Sequence, residues 1–335
     1  MTGLTPRVRG CARGRAGTTA PCQAAWDDRP ATVPLPDRRI DARALVPRDA
    51  PEAVVLGEVR ARLGERPVHD ARDDSVVWVD IDACSVHRWA EGDHARDAVV
   101  SVPSPVSLAW PAAAGGLLLA TADGLGVHDG TTLGPLTRPA DMPRDYRFND
   151  GGVDGAGRLW VATMPGDGSP GDGTVYRVVA EEGGLEVDAV LTGVGVGNGL
   201  QWSPDGATLY VTDTSAATVY RLPYDAATGT AAAPEPFLSF DPDGPQPDGT
   251  TVDGEGCLWV ALYGGGAVLR FGPDGTPLGA VRVPTAQVTC LGFGAPGSGR
   301  AYVTTAHADG DPVAGAVFGV DVAVDGLPVR AFGEG

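Results

Sequence analysis

Short apolar runs recur along the chain, each following a turn rich in Asp and Gly and each with an aromatic residue or Leu at its centre. They are Val76-Val77-Trp78-Val79, Leu117-Leu118-Leu119, Leu159-Trp160-Val161-Ala162, Leu209-Tyr210-Val211, Leu258-Trp259-Val260-Ala261 and Ala301-Tyr302-Val303. Their central residues lie 40, 42, 50, 49 and 43 positions apart. No convincing helical spacing interrupts the series. A period in the forties, made of short strands and tight turns, is what a four-stranded propeller blade requires. Six periods predict an all-β chain folded as a six-bladed β-propeller. Second pairing candidates follow several of the runs, among them Thr174-Val175-Tyr176-Arg177-Val178, Ala217-Thr218-Val219-Tyr220-Arg221 and Ala267-Val268-Leu269-Arg270-Phe271. These are expected to be the third strands of their blades. Turns such as Ser203-Pro204-Asp205-Gly206 supply the positive-φ positions that hairpins need.

The pattern begins near residue 50. Residues 1–48 are rich in Arg and Pro, have no periodic apolar spacing and carry no acidic residue before Asp27. They read as a disordered extension ahead of a propeller domain over 49–335. Nothing after the basic start forms the apolar core of a secretory signal, which leaves a transit-like peptide or an over-long gene start.

In a propeller the innermost strand of each blade lines the central channel, so matching positions of different repeats converge on one axis. Glu65 lies 13 residues before Trp78, Asn149 lies 11 before Trp160, Asn198 lies 12 before Tyr210 and Asp248 lies 11 before Trp259. Oxygen donors gathered at one rim suit a hard divalent cation such as calcium, magnesium or manganese. The competing reading is that Asn and Asp before Gly merely shape turns.

Composition bears on that choice. All 25 basic residues are Arg, and Asn occurs only at Asn149 and Asn198. Ordinary turns here use Asp and Gly, yet both remaining asparagines fall at the axis-facing offset. A net charge of −18 opposes binding to nucleic acid without excluding cations or neutral substrates. No run of eighteen apolar residues could span a membrane. Five scattered cysteines give neither a disulfide framework nor a zinc motif, which fits a reducing, cytoplasmic compartment. The five His lack metal spacing, no G-x-S-x-G elbow is present, and the glycine-rich stretch 193–199 leads into a strand, not the helix a dinucleotide site needs.

Four segments in order carry a resemblance to a known family: Leu63-Gly64-Glu65-Arg66-Pro67-Val68, Arg147-Phe148-Asn149-Asp150-Gly151-Gly152, Gly197-Asn198-Gly199-Leu200-Gln201-Trp202 and Pro247-Asp248-Gly249. With them the chain, over about residues 50 to 330, resembles the gluconolactonase and regucalcin lactonases. The resemblance implies a six-bladed propeller with one divalent metal held by Glu65, Asn198 and Asp248. It also implies substrate contacts from Arg147 and Asn149, and hydrolysis of a sugar lactone. Calcium is the first expectation, with zinc, manganese or magnesium as alternatives. In the expected chemistry the cation polarises the lactone carbonyl and Asp248 orients or deprotonates the attacking water. The family usually has Gly after the metal-binding Glu and an aromatic three residues on, where this chain has Arg66 and His69. Its acidic substrate contact after the third-repeat strand is matched only by Asp167. The alternatives are a phosphotriesterase-like hydrolase on the same site, or a non-catalytic calcium- or ligand-binding propeller. Neither the particular lactone nor the oligomeric state is fixed by these residues.

Overall fold

A computed structural model describes residues 24–25, 39–93 and 97–334. Six small sheets, antiparallel except for one short parallel pair at an outer edge, follow one another along the chain, one per sequence period, and make a six-bladed β-propeller. The inner strands are Gly64–Asp70, Val106–Pro111, Tyr146–Val153, Gly197–Trp202, Gln246–Val252 and Val288–Phe293. Each apolar run seen in the sequence is the second strand of its blade, paired antiparallel to the inner strand. The predicted third strands also stand third, as Gly173–Glu181, Thr218–Asp225 and Ala267–Phe271. In the second blade only three strands pair in full, and single bridges from Leu133 and Thr137 stand at the outer edge.

The ring closes with strands from both ends of the domain. Val54–Leu56 pairs with Val317–Asp321 and becomes the outer strand of the sixth blade. Pairing the two ends of the domain within one blade locks the ring, and the radial array leaves only short strand edges at its rim. Of the extension expected over 1–48, residues 1–23 and 26–38 lie outside the described residues. The described parts lie against blades: Ala24–Ala25 pairs in parallel with Leu191 and Thr192, Ile40 bridges Phe240, and Ala42 is buried in the core.

The second and third strands are apolar because both of their faces pack against neighbouring blades. Between the third and fourth blades Trp160 is fully buried and meets Trp202 and Tyr224 edge-on. Near the axis the inner strands approach backbone to backbone. A Cβ at Gly152 would lie 2.3 Å from the Leu200 carbonyl oxygen, and one at Gly292 2.0 Å from that of Pro67. Only glycine fits at such distances.

The inner strands run in one direction, so the axis has two unlike ends. At their C-terminal ends the tail of the chain forms a strap. The Gly254 N–H donates to Asp325 O, the Trp110 indole to Arg330 O, and the Phe332 N–H to Pro111 O. Under the strap lies a cavity of about 340 Å³ lined by Arg66, His69, Trp110, Gln201, Trp202 and Leu327, among others. Among the described residues no helix is long and apolar enough to cross a membrane.

Candidate active site on the propeller axis

Glu65, Asn149, Asn198 and Asp248 all lie in the first half of an inner strand. The inner strands therefore gather them at the end opposite the strap. Each of these strands carries a β-bulge at the same place. Arg66 and Pro67 together oppose Trp78, Asn149 and Asp150 oppose Ala162, Gly199 and Leu200 oppose Val211, and Asp248 and Gly249 oppose Ala261. A bulge breaks the two-residue alternation and re-aims side chains. It lets neighbouring residues such as Asn149 and Asp150 both find partners on adjacent inner strands.

The approach to two of these strands is pinned from the second strand of the same blade. Asp80 accepts from the N–H groups of Arg62 and Leu63, just ahead of Glu65. Asp213 does the same for Gly195 and Val196, just ahead of Asn198. Carboxylates holding backbone donors in this way fix the segments that lead into the strands carrying Glu65 and Asn198.

The two asparagines meet. Asn149 Nδ2 donates to Asn198 Oδ1 at 2.9 Å and to Gly197 O at 3.0 Å. Asn198 Nδ2 donates to Thr214 Oγ1 at 2.8 Å, and that hydroxyl donates to Pro247 O. Both contacts orient the Asn198 amide and leave its oxygen with a second lone pair. Arg147 Nη1 donates to Asn149 Oδ1 at 2.7 Å and to Phe148 O at 3.0 Å.

Glu65 and Asp248 are each only 8% exposed. Burial pushes the Glu65 carboxyl up to about 8, with the charge of Asp150 adding to the effect. Burial, then the charges of Glu65 and Asp150, hold Asp248 well above the usual carboxylate range. Two buried carboxylates that repel one another, beside an oriented amide oxygen, are a donor set suited to a hard divalent cation. Burial lowers the Arg147 pKa, against the pull of Asp82, Glu65 and Asp248. A cavity of about 550 Å³ adjoins this end and is lined by Arg62, Leu63, Asp82, Tyr263, Ala306 and His307. Burial raises the Tyr263 hydroxyl, and the charges of Asp248 and Glu65 raise it further.

Three residues lie elsewhere than the first ring of donors. Asp167 is exposed in the turn after the strand Leu159–Pro165, where it accepts from the Ser169 N–H and hydroxyl. His69 is buried with its Nε2 3.0 Å from Asp74 Oδ1. Arg66 points neither to the rim nor to solvent. It is 3% exposed and pairs through two nitrogens with Asp150. Asp150, to which sequence reasoning gave no role, also accepts from the Gly151 and Gly199 N–H groups at 2.7 Å. It is anchored on three sides.

A second acidic group, Asp253, Glu255 and Cys257, sits in a turn of the fifth blade with its ligand-type atoms within 4.8 Å of one another. Arg270 pairs with both carboxylates there, and Asp253 also accepts from the Trp259 indole and two backbone N–H groups. That turn is closed by the chain's own donors.

Six blades and an axial ring of Glu, Asn and Asp place the molecule among the β-propellers with a polar site at one end of the axis. Known proteins narrow the class. The family described as SMP-30/Gluconolactonase/LRE-like region matches residues 63–307, and the chain belongs to it. It is 38% identical over 287 residues to a pentonolactonase of Haloferax volcanii, covering 81% of this chain and 94% of that protein. It is 33% identical over 283 residues to a 6-deoxy-6-sulfogluconolactonase of Pseudomonas putida, covering 81% and 94%. Among solved structures, a calcium-binding regucalcin from Agrobacterium tumefaciens superposes with a TM-score of 0.77 at 30% identity. That match covers 84% of this chain and 97% of the other.

Proposed function

We propose that the protein is a metal-dependent lactonase that opens a sugar lactone at the axial site. The observation that carries this reading is the convergence of Glu65, Asn198 and Asp248 with Asn149 and Arg147 at one end of the axis, beside an open cavity. Relatives named as lactonases over most of their length support the substrate class. Calcium is the first candidate for the cation, supported by the calcium-binding regucalcin, with zinc, manganese or magnesium as alternatives.

Glu65, Asn198 and Asp248 would hold the cation. When bound, it supplies Lewis-acid polarisation of the lactone carbonyl and a water made more acidic than bulk water. Asp248 orients the attacking water, takes up its proton as the new C–O bond forms, and returns it to the ring oxygen as the acyl C–O bond breaks. Arg147 and Asn149 hold the substrate. The guanidinium is fixed by Asn149 Oδ1 and Phe148 O, which leaves further donors for ring hydroxyls or the product carboxylate. Asp167, exposed at its turn, is a candidate contact for the distal part of the substrate.

The test is a panel of aldonolactones and phosphotriesters assayed with the intact protein and with Asp248→Ala. Lactone turnover that Asp248→Ala abolishes is expected. Preferential turnover of phosphotriesters would favour the same site acting on a phosphoryl centre. Saturable calcium binding with no turnover of either class would mean a non-catalytic propeller.

A further inference from the structure

The residue after Glu65 is the least expected one in the site. Arg66 has a φ of 44°, in the left-handed region that costs an L side chain energy and that glycine adopts freely. Its guanidinium is nevertheless buried, bonded to Asp150 through Nε at 2.6 Å and through a second nitrogen. Its backbone N–H donates to Glu65 Oε2 at 3.1 Å, and the residue borders the cavity under the strap. Arg66 thus lies along the axis below Glu65 and Asp248. Three carboxylates, Glu65, Asp150 and Asp248, crowd this stretch of the channel, each raising or raised by another.

We propose that Arg66 is a resident counter-cation that removes Asp150 from the charge seen by a metal at the axis. With the Arg66–Asp150 pair intact, a cation held by Glu65, Asn198 and Asp248 meets the charge of two carboxylates, Glu65 and Asp248, which Arg147 also faces. Without Arg66 it meets three. Charge count is a principal determinant of affinity in oxygen-ligand sites, so Arg66 weakens and tunes the site that it underlies. The inference rests on the reading of Glu65, Asn198 and Asp248 as the cation's ligands.

Calcium binding to the purified full-length protein, measured by calorimetry after chelation, separates the two ideas. Saturable binding of calcium, or failing that of zinc, manganese or magnesium, that Glu65→Gln abolishes is expected; absence of binding by all four, or binding that Glu65→Gln leaves unchanged, would overturn the ligand assignment itself. Given that binding, Arg66→Gly should bind the same cation about tenfold more tightly, as expected for one added carboxylate charge. Arg66→Gly with Asp150→Asn should return towards the wild-type value. An affinity unchanged or weakened in folded Arg66→Gly would overturn the role of Arg66. Should Arg66→Gly fail to fold, Asp150→Asn alone decides: it leaves the Arg66 charge uncompensated and should weaken binding about tenfold, and unchanged affinity would overturn the proposal.

Discussion

Replacing Glu65 by Gln in the chelated protein should change how stability depends on pH. The Glu65 carboxyl is raised from 4.5 to about 8, chiefly by burial. Below pH 4.5 it is protonated in the folded and unfolded chains alike. As pH rises, the unfolded chain releases its proton first while the native state retains it. Stability attributable to this group is therefore complete below pH 4.5 and is lost progressively up to about 8. Each pKa unit corresponds to about 1.4 kcal/mol, which sets a ceiling of about 5 kcal/mol on the loss. Asp248 shares the same repulsion, so the two carboxyls divide the effect between them. Burial lowers the His87 pKa, which works with the opposite sign as pH rises through the imidazole range. Comparing wild type with Glu65→Gln cancels that contribution. The assay is urea unfolding of both proteins in chelator, in half-unit steps between about pH 5 and about pH 8. The wild type should lose stability relative to Glu65→Gln as pH rises, and saturating calcium should remove the difference in slope by binding only the native wild type. Parallel curves for the two chelated proteins across that range would refute the reasoning.

Two further outcomes follow from the geometry. Arg147→Ala should remove charge-assisted substrate contacts of about 2 kcal/mol, lowering kcat/KM roughly thirtyfold on a lactone substrate while leaving urea stability nearly unchanged. Phe332, 3% exposed and packed in the core around Trp110 and Phe148, fastens the C-terminal strap; Phe332→Ala should cost about 3 kcal/mol or more in urea unfolding.

The blades were legible because each repeat announces itself locally, through an apolar second strand and an Asp- and Gly-rich turn. The closing strand was not, because Val54 pairs with Gly319 from the far end of the domain and no local pattern reports such a partner. Asn149 and Asn198 stood out against a chain that makes its turns without asparagine, and they touch at 2.9 Å. Asp150, and with it the partner of Arg66, escaped notice for a physical reason. Simple alternation assigns every second residue to the axis, whereas the bulges let Asp150, next to Asn149, reach the guanidinium of Arg66. The left-handed backbone at Arg66 carries no sequence signal in a residue that seldom adopts it.

Lactone hydrolysis by the chelated and reconstituted protein tests the central claim most directly. Acid release from an aldonolactone, followed by pH-stat, should disappear on complete removal of divalent cations and return on titration with calcium, zinc, manganese or magnesium. It should not return in Asp248→Ala. Undiminished hydrolysis by protein shown to be free of metal would contradict the account.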